Sequence, residues 1–200
     1  MSDFDVPPRT RRERREARAD AGAPVILTVC TGNICRSPQA EMLLRARLRD
    51  LDVRVHSAGT RALVDREMDR TAQELALLQE PLADDADLVL AMSREHRTAA
   101  VELSPRHLRH TFTVREFARL AASLDDGVLR RIARSAGNPR SRFGVLVQAV
   151  ADQRGVAPRA AGDEDVIDPY RQSLEVYEQS AAQMLPALDQ VERVVRIALA

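Results

Sequence analysis

The chain has 200 residues, 30 of them basic and 30 acidic, so its formal net charge is zero, and every basic residue is an arginine because lysine is absent. Zero net charge argues against a nucleic-acid partner. Without a lysine amine, neither Schiff-base chemistry nor the lysine of a nucleotide-binding Walker loop is available. Apolar runs such as Val25 to Val29 are far too short to span a bilayer. The charged N-terminal segment lacks the apolar stretch of a secretory signal, so a cytoplasmic location is expected.

In that compartment the two cysteines, Cys30 and Cys35, are expected to be reactive or simply buried rather than bridged. They form no zinc site with histidines at ligand spacing. The four histidines, His56, His96, His107 and His110, show no metal-like spacing with acids either. They are expected at the surface or in supporting roles, and no metal or other cofactor is expected.

Residues 1–24 read as a flexible, arginine-rich tail. Arg9 to Arg18 holds six arginines and two glutamates with no apolar period. A folded domain is expected from residue 25 to residue 200. Val25-Ile26-Leu27-Thr28-Val29 has the β-branched, continuous apolar character of a strand buried on both faces. After the Thr31-Gly32-Asn33 turn, Ser37-Pro38 suits the N-cap and first position of a helix. Ala40, Leu43, Leu44, Leu48 and Leu51 line its apolar face.

Val53 and Val55 begin a second strand ending in His56-Ser57-Ala58-Gly59-Thr60. A helix follows around Thr71 to Gln79, then a third strand from Asp87 to Met92. Ser93 caps a helix from Arg94 to Glu102, which Ser104-Pro105 stops. Thr111 to Val114 reads as a fourth strand and Glu116 to Ser123 as a helix. This alternation implies an α/β fold with a parallel sheet.

The stretch from about 124 to 165 is rich in glycine, with Asn138-Pro139 between two helix-like pieces. It reads as a partly helical insertion on the surface. From Ser173 to Leu199 apolar residues recur at Leu174, Tyr177, Ala181, Met184, Leu185, Leu188, Val191 and Val195. That pattern is a long amphipathic helix lying on the sheet, which Pro186 is expected to kink or interrupt. The acidic pairs Asp84-Asp85 and Asp125-Asp126 read as solvated turns.

The chemistry is concentrated in Cys30-Thr31-Gly32-Asn33-Ile34-Cys35-Arg36-Ser37-Pro38. The thiolate is the nucleophilic form of cysteine, favoured at a helix N-terminus beside a guanidinium. A tight loop leading into a helix turns its backbone N–H groups inward and cradles an anion. Arginine offers a planar fork that matches two phosphoryl oxygens. A cysteine, five residues and an arginine on such a loop set a nucleophile beneath a bound phosphate. Gly32 permits the tight turn, Asn33 tolerates left-handed backbone, and Ser37 can donate a hydrogen bond to the thiolate. Phosphoryl chemistry also needs an acid for the leaving oxygen. Asp168, in Val166-Ile167-Asp168-Pro169-Tyr170, is the candidate. Taken alone, Asp168-Pro169 reads more readily as a turn leading into a helix.

The segment Cys30 to Pro38 resembles the phosphate loop of the bacterial low-molecular-weight protein tyrosine phosphatases. His56 to Thr60 and Asp87 to Met92 resemble that family's second and third strands. Asp168-Pro169-Tyr170, far downstream, resembles its acid loop. The resemblance implies a three-layer α/β/α fold around a central, mostly parallel four-stranded sheet. It implies Cys30 as a nucleophile that forms a phosphocysteine, Arg36 as phosphate clamp and Asp168 as general acid, then base. Thr31, Gly32, Asn33, Ile34, Cys35, Arg36 and Ser37 would bind phosphate. Asn33, Ser37 and Ser57 would hold the loop and thiolate.

Cys35 is the family's second loop cysteine, able to trap oxidised Cys30 as a disulfide. Tyr170 would line the substrate wall; the family often supplies an aromatic wall from the loop after Thr60, and here no aromatic residue occurs between Thr60 and Phe112. Ile34 is the residue that aryl-phosphate enzymes of this fold tend to carry. The implied partner is a phosphotyrosine protein, with a bacterial tyrosine kinase among the candidates, and no nucleic acid, membrane span or cofactor. Two other activities fit the same loop. One is arsenate reduction with an external thiol, since only Cys35 lies in the chain to resolve an adduct on Cys30. The other is phosphotyrosine binding without turnover.

Overall fold

The computed structural model describes residues 22–61, 78–158 and 160–200. Most of the tail expected over residues 1–24, and nearly all of the helix expected around Thr71 to Gln79, lie outside the described residues. Residues 23 and 24 already belong to the fold: Ala23 and Pro24 are buried, and the Pro24 carbonyl accepts from the Arg54 N–H at 2.8 Å.

Four strands form one sheet in the order β2-β1-β3-β4. They are β1 (Val25–Cys30), β2 (Arg54–Gly59), β3 (Leu88–Ala91) and β4 (Thr111–Thr113). All three pairings are parallel. Side chains alternate between the faces of the sheet. Ile26, Cys30, Leu88, Leu90 and Phe112 join one core, while Leu27, Val29 and Val89 join another. Both faces are therefore covered, as the all-apolar strands require.

The helices are α1 (Arg36–Arg47), α2 (Glu80–Asp85), α3 (Arg94–Leu103), α4 (Val114–Ala122), α5 (Asp126–Ala133), α6 (Pro139–Asp152) and α7 (Leu174–Leu199). A 3₁₀ segment at Pro105–His110 joins α3 to β4. No helix of the described residues is long and apolar enough to cross a membrane.

Several elements differ from their sequence-based expectation. α1 starts at Arg36, with Cys35 rather than Ser37 at its N-cap, and no side chain caps it there. Ser37 lies inside the first turn because its hydroxyl is turned to the sulfur of Cys30. The stretch expected as a surface insertion contributes α5 and α6 to the main core, where Leu129, Phe143, Leu146, Val147 and Val150 are fully buried. Phe143, Leu146, Val147 and Val150 share one helix face. Asn138-Pro139 starts this helix, the Asn138 side chain accepting from the Ser141 N–H at 2.8 Å.

α7 runs unbroken through Pro186. It buries Met184, Leu188, Val191 and Val195, but its first turn projects beyond the core: Leu174 is 73% exposed. Neither acidic pair is a merely solvated turn. Asp84 accepts from the Ser104 hydroxyl at 2.5 Å and pairs with Arg106. Asp125 caps α5 through the Val128 N–H at 2.9 Å, and Asp126 pairs with Arg193 at 2.6 Å.

Candidate active site

The buried strand β1 delivers Cys30 to the C-terminal edge of the sheet, where ligand sites of open parallel sheets form. Residues 31–35 then bend back into α1. Asn33 adopts the left-handed conformation, φ 52°, that its short polar side chain tolerates. Among the described residues, no backbone N–H from Gly32 to Cys35 donates to a protein acceptor. The loop thus keeps a set of N–H donors next to the start of a twelve-residue helix.

Cys30 is 3% exposed. The Ser37 Oγ lies 2.9 Å from the Cys30 Sγ and 2.9 Å from the Asn33 Oδ1. Its single proton has these two acceptors and, at 3.4 Å, the Ala58 carbonyl to choose among.

Gly59 is opposite Cys30 in the β1–β2 register. A Cβ there would fall 2.7 Å from the Thr31 carbonyl oxygen and 3.0 Å from the Asn33 nitrogen. Only glycine lets β2 approach the loop so closely. Ser57 differs from its expected role. Its hydroxyl donates to Glu41 on α1 rather than into the loop.

Arg36 is buried, 5% exposed, and both ends of its guanidinium are engaged. Nη1 donates to the Val166 carbonyl at 3.0 Å, and Nη2 pairs with the Asp168 carboxylate at 2.7 Å. The aspartate side chain is itself half exposed, at 51%. Sequence distance thus collapses: residues 36, 166 and 168 meet around one cation.

The acid loop is further fixed from three sides. Val166 donates its N–H to the Met92 carbonyl at 2.8 Å, and Ile167 donates to the Gln183 side chain on α7 at 2.9 Å. Arg94 and Arg115 grip Asp163 and Asp165, and Arg119 pairs with Glu164 at 2.7 Å. The turn after Asp168 is closed by the Gln172 N–H on the Pro169 carbonyl at 2.9 Å. It places Arg171 in the left-handed region at φ 59°, a position that favours glycine. The Arg171 guanidinium stands 5.1 Å over the Tyr170 ring.

Two further residues lie against the loop, one of them not singled out as a site residue in the sequence and the other expected only at the surface or in a supporting role. Tyr177, expected only on the core face of the last helix, brings its hydroxyl to 3.5 Å from the Cys35 Sγ and is 38% exposed. Cys35 is half-buried, at the edge of the loop rather than in the core. A tyrosine one turn into a helix that starts shortly after the acid loop was the available signal.

The second is His96. It is 3% exposed and bonded through both ring nitrogens: Nδ1 lies 2.8 Å from the Ser93 Oγ and Nε2 lies 2.8 Å from the Thr31 Oγ1. Burial, then the positive charge of Arg36, hold its pKa down to about 4, against the opposing pull of Glu95, Asp168 and Asp165. The unfolded imidazole takes up its proton near pH 6.5, while the folded one resists until about pH 4. Stability is therefore expected to fall as pH drops through that window and to level off below it, by roughly 3 kcal/mol. In denaturant melts at stepped pH, His96→Gln should remove that part of the acid slope. An unchanged slope would contradict a buried neutral imidazole.

A buried thiol at the end of a strand, followed by a loop with N–H groups unpaired among the described residues and by a helix start, on a doubly covered parallel sheet, is the arrangement of an α/β protein with a candidate phosphate loop. The sequence model described as "Low molecular weight phosphotyrosine protein phosphatase" matches residues 25–129, and the chain belongs to that family. A low molecular weight protein-tyrosine-phosphatase of Escherichia coli, Etp, is 42% identical over 93 residues, 40% of this chain and 62% of the relative. The chain thus spans just under two thirds of that relative's length. The protein-arginine-phosphatase of Bacillus subtilis is 38% identical over 106 residues, 46% of this chain and 71% of that protein.

Among solved structures, a mutant of YwlE from Bacillus subtilis shares the fold with a TM-score of 0.56 at 24% identity. It covers 87% of this chain and 99% of that one. The low molecular weight protein tyrosine phosphatase from T. tengcongensis superposes with a TM-score of 0.53 at 26% identity, over 84% and 97%.

Proposed function

We propose that this chain is a cysteine-dependent phosphatase that hydrolyses aryl phosphate monoesters, of which phosphotyrosine in a protein is the natural class. The observation that carries this reading is the sharing of Arg36. The loop that holds Cys30 and the loop that holds Asp168 converge on one buried guanidinium.

In this reading the phosphoryl group sits in the loop, its oxygens on the backbone N–H groups and on Arg36. The Cys30 thiolate attacks phosphorus in line, the S–P bond forms and the P–O bond to the aryl group breaks. Asp168 gives its proton to the leaving oxygen. It then takes a proton from water as that water attacks the phosphocysteine, which releases phosphate and restores the thiolate. The ion pair of Asp168 with Arg36 belongs to the unliganded site. A bound phosphate competes for that guanidinium face and frees the carboxylate, which takes up a proton from solvent before it serves the leaving group and gives it back when the ion pair re-forms. Ile34, 39% exposed, together with Tyr170 and Tyr177, gives the mouth an apolar and aromatic rim that suits an aryl ring.

The test is phosphate release from an aryl phosphate in the presence of EDTA, with rapid acid quenching of the turnover mixture. One phosphoryl group on Cys30 is expected in the quenched protein. No release, or phosphorylation at another residue, would overturn the reading. Parallel rates on phosphotyrosine, phosphoserine and phosphoarginine peptides should rank phosphotyrosine first.

A further inference from the structure

The chain Ser93–His96–Thr31 joins the N-cap of α3 to the residue that follows the nucleophile. Both links are short and the histidine is buried, so the protons in it can be assigned by elimination. The Ser93 Oγ already accepts from the His96 backbone N–H at 3.3 Å, which caps α3. Among the described residues the only remaining partner of the Ser93 hydroxyl proton is the His96 Nδ1.

Two arrangements are possible. In one, the imidazole Nδ1–H donates to Ser93 and the Thr31 hydroxyl donates to Nε2. Ser93 is buried, so its own proton would then be left without an acceptor away from water, which is costly. In the other, Ser93 donates to Nδ1, and the imidazole carries its proton on Nε2 and donates it to the Thr31 Oγ1. Every proton at the buried end is then used. The one left over is the hydroxyl proton of Thr31, at the half-exposed end of the chain, beside Cys30 in the phosphate loop. The second arrangement is favoured because its spare donor lies at the loop that the proposed function assigns to the phosphoryl group.

We propose that Ser93 and His96 form a relay that fixes the Thr31 hydroxyl as a side-chain donor to the phosphoryl group, with His96 acting as a positioning residue. The inference rests on the reading of residues 30–37 as the phosphate site. It adds to the backbone donors one hydroxyl whose direction is set from behind by a neutral imidazole. A donor fixed before the reaction stabilises charge on the equatorial oxygens without reorganising during it.

The test uses Thr31→Val, which keeps the shape and removes the hydroxyl, with His96→Leu, His96→Gln and the Thr31→Val/His96→Leu double variant. Two readouts are taken: kcat/KM on an aryl phosphate, and protection of Cys30 from alkylation by inorganic phosphate, which needs no turnover. Thr31→Val should lower both kcat/KM and phosphate protection, the former by roughly 10- to 100-fold, with a native near-UV spectrum and a lowered thermal midpoint, because the buried His96 Nε2–H loses its acceptor. His96→Leu should lose a similar factor, and the double variant no more than either single one, because both changes remove the same donor. His96→Gln, which can still donate to Thr31, should recover most of the loss.

Thr31→Val within about twofold of wild type in both readouts would overturn the proposal, as would losses that multiply in the double variant. If the wild type shows no turnover, yet phosphate protects Cys30 in a Thr31-dependent way, the relay stands and the phosphatase reading falls. If phosphate does not protect wild-type Cys30 at all, the site reading falls and the relay with it.

Discussion

Cys30→Ser is expected to lower phosphate release from an aryl phosphate by on the order of 10⁴-fold or more, with folding intact. A serine hydroxyl fits the space of the thiol and can still receive the Ser37 hydrogen bond, so the loop should keep its shape. What it lacks is the sulfur nucleophile: an alcohol does not lose its proton at neutral pH, and among the described residues no side chain hydrogen-bonded to Cys30 is a base. The Ser37 hydroxyl, 2.9 Å from the sulfur, is a donor there, a group that stabilises an existing anion rather than creating one. Steady-state kinetics beside the near-UV spectrum of both proteins checks this. Residual activity at even a few per cent of wild type would mean that the attacking atom lies elsewhere.

The second large effect belongs to Asp168 and depends on the substrate. A poor leaving group, such as an unsubstituted phenolate, needs its proton as the P–O bond breaks, and Asp168→Asn should slow its release by roughly 10²- to 10³-fold. A nitrophenolate leaves without help, and its loss should be about tenfold or less. Phosphate should inhibit the variant at equal or lower concentration than wild type. The reason is that the variant no longer competes for Arg36 with a carboxylate 2.7 Å away. Equal losses on both substrates, together with weaker phosphate inhibition, would make Asp168 a scaffold for the guanidinium rather than a proton donor.

How far the sequence carried these conclusions varies with the range of the interactions. β1 and its loop were legible because everything that defines them is local. A β-branched apolar run, a small-residue turn and a cysteine and arginine at fixed spacing all lie within Val25 to Pro38. The capped start of α3 at Ser93 was legible for the same reason.

α6 was legible in principle. Phe143, Leu146, Val147 and Val150 carry the helical period and the stretch read as partly helical, but the glycines around them pointed to the surface, whereas this face is fully buried. The partners of Ser57, His96 and the acid loop were not legible. Ser57 has Glu41 within reach only once α1 lies against β2. His96 meets Thr31 across 65 residues, and Arg94, Arg115 and Arg119 reach Asp163 to Asp165 across 45 to 71. In a chain with thirty arginines, nothing local marks which ones will close on which acids.

The placement of α5 and α6 has a consequence for how the enzyme would fail. They lie between β4 and the acid loop in the chain, and they share the core with α1, α4 and α7. Asp168 is reached only through helices whose large apolar side chains are locked into the centre of the molecule, and on its far side it is followed by the longest helix. A catalytic loop suspended on exposed chain can open and close on its own. This one is tied at its centre, Val166 to the Met92 carbonyl and Ile167 to Gln183 on the last helix, so displacing it costs more than opening a free loop. Heat or denaturant should then extinguish catalysis close to the loss of tertiary structure, with little interval in which a folded but acid-deficient protein accumulates.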